Sequence, residues 1–228
     1  RLDQAKITHV GGGTNLDEAK QPTDYIINGI KIGFVAASEG EQYKFTPEAT
    51  DSTTGILTSY DTTEYNQVIA DASKECDYLI AYVHWGTEDE DMYNSTQTEH
   101  GKEFLKSGAD IVIGGHPHVL QGIETYKGRN IVYSLGNFCF GGNSSPSDMD
   151  TMIFQQTFTV TSEGVQADNV TNIIPCSISS AAYDGYNNYQ PTPAEGDEAT
   201  RILGKINERS SWISTAEGST FTAKYNSN

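Results

Sequence analysis

Two histidines in the stretch 109–118, Ala-Asp-Ile-Val-Ile-Gly-Gly-His-Pro-His, are the strongest indication of chemistry in this chain. Imidazole is the commonest protein ligand for transition metals at neutral pH. Pro117 fixes its own φ and keeps His116 out of the helical region. We therefore predict a stiff, extended turn that holds His116 and His118 at low entropic cost. This pattern favours metal binding or catalysis over a solvated polar loop.

Two buried strands are predicted immediately before the histidines of interest. Residues 77–83 are apolar after Asp77 and lead into a third histidine, His84. Residues 109–113 are apolar apart from Asp110, and we expect Gly114 and Gly115 to end that strand. Each histidine therefore follows the C-terminal end of a strand, which is where open α/β sheets bind their ligands.

Helical patterns precede both strands. Residues 61–75 carry apolar side chains at spacings of three and four behind an aspartate suited to the N-cap, and residues 97–106 form a second helical segment. The order helix–strand–helix–strand is typical of a parallel sheet, in which the strand ends meet at one edge. We therefore expect His84, His116 and His118 to converge.

The rest of the chain is predicted to form hairpins and one further helix. Asn28 and Gly29 supply the two positive-φ positions of a type I′ turn between two strands. The later predicted strands are residues 123–126, 130–133, 152–160 and 165–174, and Pro175 is expected to end the last of them. Residues 199–213 carry the amphipathic pattern of a final helix.

Composition excludes some functions. The chain has 228 residues and a formal net charge of −17, which argues against nonspecific nucleic-acid binding and against anionic membrane surfaces. No apolar run approaches the ~20 residues of a membrane span. Cys76, Cys139 and Cys176 lack the spacing of a thiolate metal site. We interpret them as small buried hydrophobic residues, with a Cys139–Cys176 disulfide left open.

Three motifs in this order resemble a known family. They are Val-His-Trp-Gly-x-Glu at 83–88, the segment 108–119 that contains His-Pro-His, and Tyr-Ser-Leu-Gly-Asn-Phe at 133–138. Together they resemble the CapA family, the capsule-synthesis proteins associated with poly-γ-glutamate, which is a branch of the calcineurin-like metallophosphoesterases. The resemblance covers about residues 1–175.

The resemblance implies an α/β fold of the calcineurin-like metallophosphoesterase type, an α/β/β/α sandwich. Residues 1–178 would be the C-terminal part of that domain, and residues 179–228 a family-variable wrap and helix. The resemblance also implies a dinuclear centre of divalent metal ions such as Mn, Fe or Zn. His84, His116 and His118 match its ligand motifs. Glu88 and Asn137 would stand near the site as the candidate catalytic residues, with Glu88 either orienting water or a histidine or remaining a solvated acid.

Two departures from the family pattern lead to an expectation about the whole protein. The proline that usually follows the His-Trp-Gly-x-Glu motif is absent from residues 89–92. The family's earlier motifs, a Gly-Asp, an Asn-x-Glu and an Asn-Asn-His, are not found ahead of residue 83. Residues 61–118 also offer at most two parallel strands, which would leave a parallel edge open. We therefore expect an N-terminal segment, or a separate chain, to complete both the sheet and the site.

Three functions are compatible with these features. The first is a metal-dependent hydrolase of phosphoester or γ-glutamyl bonds in capsule biosynthesis, extracellular or at the cell surface and anchored by an upstream segment. The second is a non-catalytic surface component that binds an acidic polymer such as poly-γ-glutamate. A polyanion fits poorly with a net charge of −17 unless a metal or a basic patch offsets it. The third is a polysaccharide- or protein-binding domain with solvated histidines.

Overall fold

The computed structural model describes residues 2–39, 47–212 and 218–225 and confirms a mixed α/β fold. These residues form two compact units, each assembled from separate segments of the sequence. The first unit consists of the described part of residues 1–85 together with residues 98–113 and 160–166. The second unit consists of residues 86–97 and 114–159 together with the described part of residues 167–228. The predicted domain boundary after residue 178 stays a prediction.

The first unit contains most of the predicted helix–strand–helix–strand segment. Its elements are a 3-10 turn (Asp3–Ala5), β1 (Gly12–Gly13), α1 (Leu16–Ala19), β2 (Thr23–Ile27), β3 (Ile30–Ser38), β4 (Gly55–Ile56), α2 (Thr62–Ala72), β5 (Tyr78–His84), α3 (Ser95–Ser107) and β6 (Ile111–Gly115). The first turn of α3 and the last two residues of β6 belong to the second unit.

The β2–β3 hairpin has the predicted turn. Asn28 and Gly29 have φ angles of 53° and 81°, and Ile27 pairs with Ile30 across the turn. Two consecutive positive φ angles are the signature of a type I′ turn, which matches the twist of the flanking strands.

β3 also pairs with β5 in parallel, from Ile32 opposite Tyr78 to Ser38 opposite His84. Residues 61–118 contain two strands, β5 and β6, as expected, but the expected open parallel edge is wrong. The second hairpin strand, β3, belongs to the parallel group, and the antiparallel β2 lies beside it. Leu79, Ala81 and Val83 form one fully buried face of β5, and Tyr78 is buried on the opposite face.

An aromatic cluster joins the helices of the first unit to its strands. The Phe104 ring of α3 lies 4.9 Å from the Tyr65 ring of α2 and 6.2 Å from Trp85, measured between ring centroids. The buried Tyr65 hydroxyl donates to the carbonyl of Tyr82 at 2.9 Å. The Asp61 side chain caps α2 by accepting from the Thr63 amide, as its position ahead of the helix predicts.

A half-buried ion pair in this unit predicts a pH-dependent stability. His100 Nδ1 lies 2.5 Å from Glu39 Oε1, and hydrogen bonding to that carboxylate raises the pKa of His100. A histidine whose folded-state pKa exceeds the unfolded value of about 6.5 stabilises the fold in its protonated form. The stabilisation is complete below about pH 6.5 and is lost as the pH rises through the raised pKa.

We expect the melting temperature to fall as the pH rises from about 6.5 through the raised pKa of His100, and His100→Gln to remove that step. Glu39→Gln should also remove the step, whereas His9→Gln, a change at an exposed histidine, should leave the step in place. Melting curves recorded across this pH range test the prediction. An unchanged step in His100→Gln would contradict it.

The second unit contains the remaining elements of the described chain. They are β7 (Ile123–Tyr126), β8 (Arg129–Val132), β9 (Asp150–Thr161), β10 (Gly164–Ser177), a 3-10 turn (Ala182–Asp184), β11 (Thr192–Pro193), α4 (Gly196–Ser211) and β12 (Gly218–Thr220). β12, β7 and β8 follow one another in one sheet, and β11, β10 and β9 follow one another in another. The tip of the β9–β10 hairpin is grouped with the first unit.

Two details of these strands differ from the sequence predictions. The β7–β8 turn has two residues rather than three, because Lys127 and Gly128 both adopt positive φ and Arg129 already pairs with Tyr126. Pro175 does not end β10, which continues to Ser177. A proline lacks a donor, but its carbonyl still accepts, and Pro175 accepts from the Ala194 amide at 2.8 Å.

α4 confirms the predicted final helix, although it begins at Gly196 rather than at residue 199. The helix ends at Ser211, and residue 213, where the predicted helix ends, lies outside the described residues. Ile202 and Ile206 are fully buried, and Arg209 lies on the same buried stripe. A charged side chain within an apolar stripe requires polar partners, which are described below.

The cysteine prediction is only partly correct. All three cysteines are free, so no disulfide joins Cys139 to Cys176. Cys176 is buried and Cys76 is half-buried, but Cys139 is exposed. Cys139 lies in a loop beyond the last buried position of its segment, which is why it gains no cover from the core.

Candidate metal centre

The turn that carries the two histidines is tighter than predicted. β6 does not stop at the glycines but includes both of them, because the Gly114 carbonyl accepts from the Leu135 amide at 3.2 Å. His116 and His118 then have φ angles of 101° and 61°, so the turn is not extended. Positive φ is strained for residues other than glycine, and such strain is concentrated at functional sites.

A second loop of the same unit brings a carboxylate to this turn. Glu88 lies in the loop before α3, and the amide of the next residue, Asp89, donates to the Pro117 carbonyl at 2.9 Å. The Asp89 side chain in turn accepts from the Ser147 hydroxyl at 2.6 Å. The first bond holds the Glu88 loop against the histidine turn, and the second ties it to Ser147.

Glu88, His116 and His118 form a group with the donor set of a metal site. Each offers one ligand atom, and the three atoms lie within 4.8 Å of one another. His118 Nε2 is 3.8 Å from Glu88 Oε1, too far for a hydrogen bond and less than two metal–ligand bonds of about 2.1 Å laid end to end. Two imidazole nitrogens and one carboxylate oxygen suit Zn, Fe or Mn.

Asn137 sets the tautomer of His118. Its amide nitrogen donates to the His118 carbonyl at 3.1 Å, which fixes the orientation of the amide and places its oxygen 2.7 Å from His118 Nδ1. Nδ1 therefore carries the proton, and the lone pair of the neutral ring is on Nε2. That nitrogen is the one that faces Glu88, so His118 presents a ligand atom to the centre of the group.

Solvent and charge at the group are suited to a cation that a substrate can reach. The side chains of His118 and Glu88 are 36% and 55% exposed, while the Phe140 ring lies 5.2 Å from the His118 ring on one side. Glu88 begins a run of four acidic residues, 88–91. Clustered carboxylates attract cations, and they repel anions that are not accompanied by a cation.

The structure brings together four of the five residues that the sequence singled out. Glu88, His116, His118 and Asn137 all lie in the second unit. His84 is exposed at the end of β5 in the first unit, where its carbonyl accepts from the Glu39 amide at 2.8 Å. Its convergence with the other two histidines stays a prediction.

Sequence reasoning missed two buried amides that support these loops. Gln121 donates to the Glu90 carbonyl and accepts from the side chain of Gln97, both at 2.8 Å. Both glutamines are fully buried. Glutamine is common on surfaces, so neither position stands out in one sequence, and only the fold shows that the pair joins the Glu88 loop to the segment after His118.

The chain belongs to the family of bacterial capsule synthesis proteins designated PGA_cap, whose model matches residues 1–142. This confirms the resemblance drawn from the three motifs. All five candidate residues fall inside the matched segment, whereas α4 lies outside it.

Two curated relatives are both named CapA. The chain is 36% identical over 132 residues to the PGA biosynthesis protein CapA of Bacillus subtilis (strain 168), covering 58% of this chain and 34% of the relative. It is 31% identical over 140 residues to the capsule biosynthesis protein CapA of Bacillus anthracis, covering 60% and 34%. The chain thus matches about a third of the length of each relative.

Solved structures resemble the chain weakly. A hypothetical protein from Thermus thermophilus aligns with a TM-score of 0.40 at 13% identity, covering 68% of this chain and 60% of that one. The NAD nucleotidase NadN of Haemophilus influenzae aligns with a TM-score of 0.36 at 12% identity, covering 89% and 40%. Among the described residues, no helix has both the length and the apolar character needed to cross a membrane.

Proposed function

We propose that the complete protein is a metal-dependent hydrolase of capsule biosynthesis that acts on phosphoester or γ-glutamyl amide bonds. The observation that carries this proposal is the group of Glu88, His116 and His118, with its ligand atoms within 4.8 Å and the His118 tautomer set by Asn137. In a solvated polar loop we would not expect a buried amide such as Asn137 to direct the Nε2 lone pair of a histidine toward a carboxylate.

The chemistry divides between the ion and the protein. A divalent ion held there would act as a Lewis acid on the oxygen of the scissile group. His116 and His118 would hold it through neutral imidazoles, and Glu88 would hold it through one carboxylate oxygen. Asn137 is buried and touches His118 rather than solvent, so its role is to position that ligand. The second oxygen of Glu88 is then available to orient water.

We further propose that the centre is dinuclear in the complete protein and that His84 contributes to it. Three ligands are few for two ions, which usually share bridging carboxylates. The ligands of Mn, Fe and Zn overlap, so the donor set supports any of the three. The finer fold proposal is a calcineurin-like α/β/β/α sandwich, and the proposed location is the cell surface, where capsule polymer is made available.

The experiment uses the full-length protein, first stripped with a chelator and then loaded separately with Mn²⁺, Zn²⁺ or Fe²⁺. Hydrolysis of p-nitrophenyl phosphate and of a short poly-γ-glutamate is measured for each form. We expect the metal-loaded protein to hydrolyse one of the two substrates and the stripped protein to hydrolyse neither. Polymer binding without turnover of either class would instead identify a non-catalytic binding component.

A further inference from the structure

Arg209 on α4 is the most buried arginine described in the second unit, with a side chain that is 8% exposed. It follows Ile202 and Ile206 on the face that packs inward. α4 packs tightly against Gly122: a Cβ placed on this glycine would lie 2.5 Å from the Arg209 carbonyl oxygen. The neighbouring Ser210 hydroxyl accepts from the Ile123 amide at 2.9 Å.

The Arg209 guanidinium contacts both segments that carry the candidate ligands. One nitrogen lies 2.5 Å from Asp91 Oδ1, three residues after Glu88. Another donates to the carbonyl of Leu120, two residues after His118. Arginine suits this geometry because its planar fork carries five donors in a fixed arrangement. One side chain thus fixes the spacing of two loops that are about thirty positions apart in the sequence.

These contacts differ in origin from the other supports of the group. The bonds from the Asp89 amide to Pro117 and from Gln121 to Glu90 join the two segments to each other directly. Arg209 instead comes from a helix beyond residue 142, where the match to the family model ends. The C-terminal helix therefore takes part in the geometry of a site whose own residues all lie upstream.

We propose that Arg209 is a positioning residue for the metal centre, so that α4 sets the spacing between Glu88 and the two histidines. This inference rests on the proposed metal centre. Removing a group that orients a metal ligand lowers metal affinity roughly 10- to 100-fold. Without Arg209, Asp91 and the Leu120 carbonyl lose a shared partner, and the two loops move independently.

The test compares Arg209→Met and Arg209→Lys with the wild type, each as the full-length protein, in two measurements. Mn²⁺ affinity is measured by calorimetry, and amide hydrogen exchange is followed across residues 88–91 and 116–121 without metal. We expect Arg209→Met to bind Mn²⁺ about 10- to 100-fold more weakly and to exchange faster in both segments. Arg209→Lys keeps the charge but not the fork, so its affinity should be intermediate.

Matched controls separate positioning from general damage to α4. Arg201→Met removes an arginine of the same helix whose partners are Asp150 and Glu198, and it should leave both measurements unchanged. If Arg209→Met does not fold, Asp91→Leu decides, because it removes the acceptor for Arg209 at an aspartate that is 52% exposed. The exposed neighbour change Glu90→Gln controls for the lost charge.

The outcomes distinguish the two proposals. No Mn²⁺ binding by the wild type would refute the metal centre itself. Wild-type binding together with unchanged affinity and exchange in Arg209→Met, or in Asp91→Leu, would refute the positioning role alone. Equal losses in Arg201→Met would also refute it, since they would show that any weakening of α4 has the same effect.

Discussion

Replacing His116 by alanine in the complete protein should abolish metal-dependent hydrolysis and reduce metal affinity by at least about 100-fold. His116 supplies one of three ligand atoms in the group, and no other histidine of the second unit except His118 is available to replace it. The fold should persist, because His116 is half-buried at the end of a strand and not in the core. Calorimetry with Mn²⁺ and Zn²⁺, together with a melting curve, measures both effects.

The matched control is His9→Ala, the same change at an exposed histidine of the first unit. It should leave metal binding and hydrolysis as in the wild type. His84→Ala tests the remaining candidate ligand: a loss comparable to that of His116→Ala supports a shared centre. Full activity in His116→Ala would refute the metal centre and favour the binding component.

Asn137→Leu should weaken metal binding about 10- to 100-fold, or roughly 1.4–2.7 kcal/mol, while leaving every ligand in place. The substitution removes the acceptor that keeps the proton on His118 Nδ1 and removes the donor to the His118 carbonyl. The ring is then free to move its proton to Nε2, which blocks the ligand position. Nitrogen-15 spectra of the histidine ring distinguish the two tautomers directly.

Two variants sharpen this prediction. Asn137→Asp keeps an acceptor for Nδ1 but loses the donor to the His118 carbonyl, so the Nδ1–H tautomer should persist in this variant. Asn143→Leu makes the same change at an exposed position of the nearby loop and should leave metal affinity and the His118 tautomer unchanged. An Asn137→Leu protein that still shows the Nδ1–H tautomer and binds metal normally would contradict the assigned role.

Much of this fold follows from local sequence. The Asn28-Gly29 turn, the Asp61 cap and the strand before His84 depend on a few neighbouring residues, and each was predicted. The pairing of β3 with β5 was not predicted, because it joins segments more than forty residues apart, and an apolar run fits a hairpin strand and a parallel strand equally well.

The site divides in a similar way. The types and spacing of His116 and His118 identify them as candidate ligands, whereas their positive φ angles depend on hydrogen bonds made by Gly114 and Pro117 to distant residues. Arg209 shows the limit most clearly. A lone charge on an apolar stripe indicates that a partner exists, but only the packing of α4 shows that Asp91 and Leu120 are the partners.

The exposure of Cys139 has a practical consequence. It lies two residues after Asn137 and is the only one of the three cysteines that is exposed, while burial raises the pKa of the Cys76 and Cys176 thiols. Thiolate is the reactive form, so a maleimide dye at neutral pH should label Cys139 selectively. Paramagnetic Mn²⁺ quenches fluorescence at short range, so a dye attached there would report occupancy of the centre without any substrate. The same thiol makes a reducing buffer advisable, since two copies of the chain can otherwise cross-link through it.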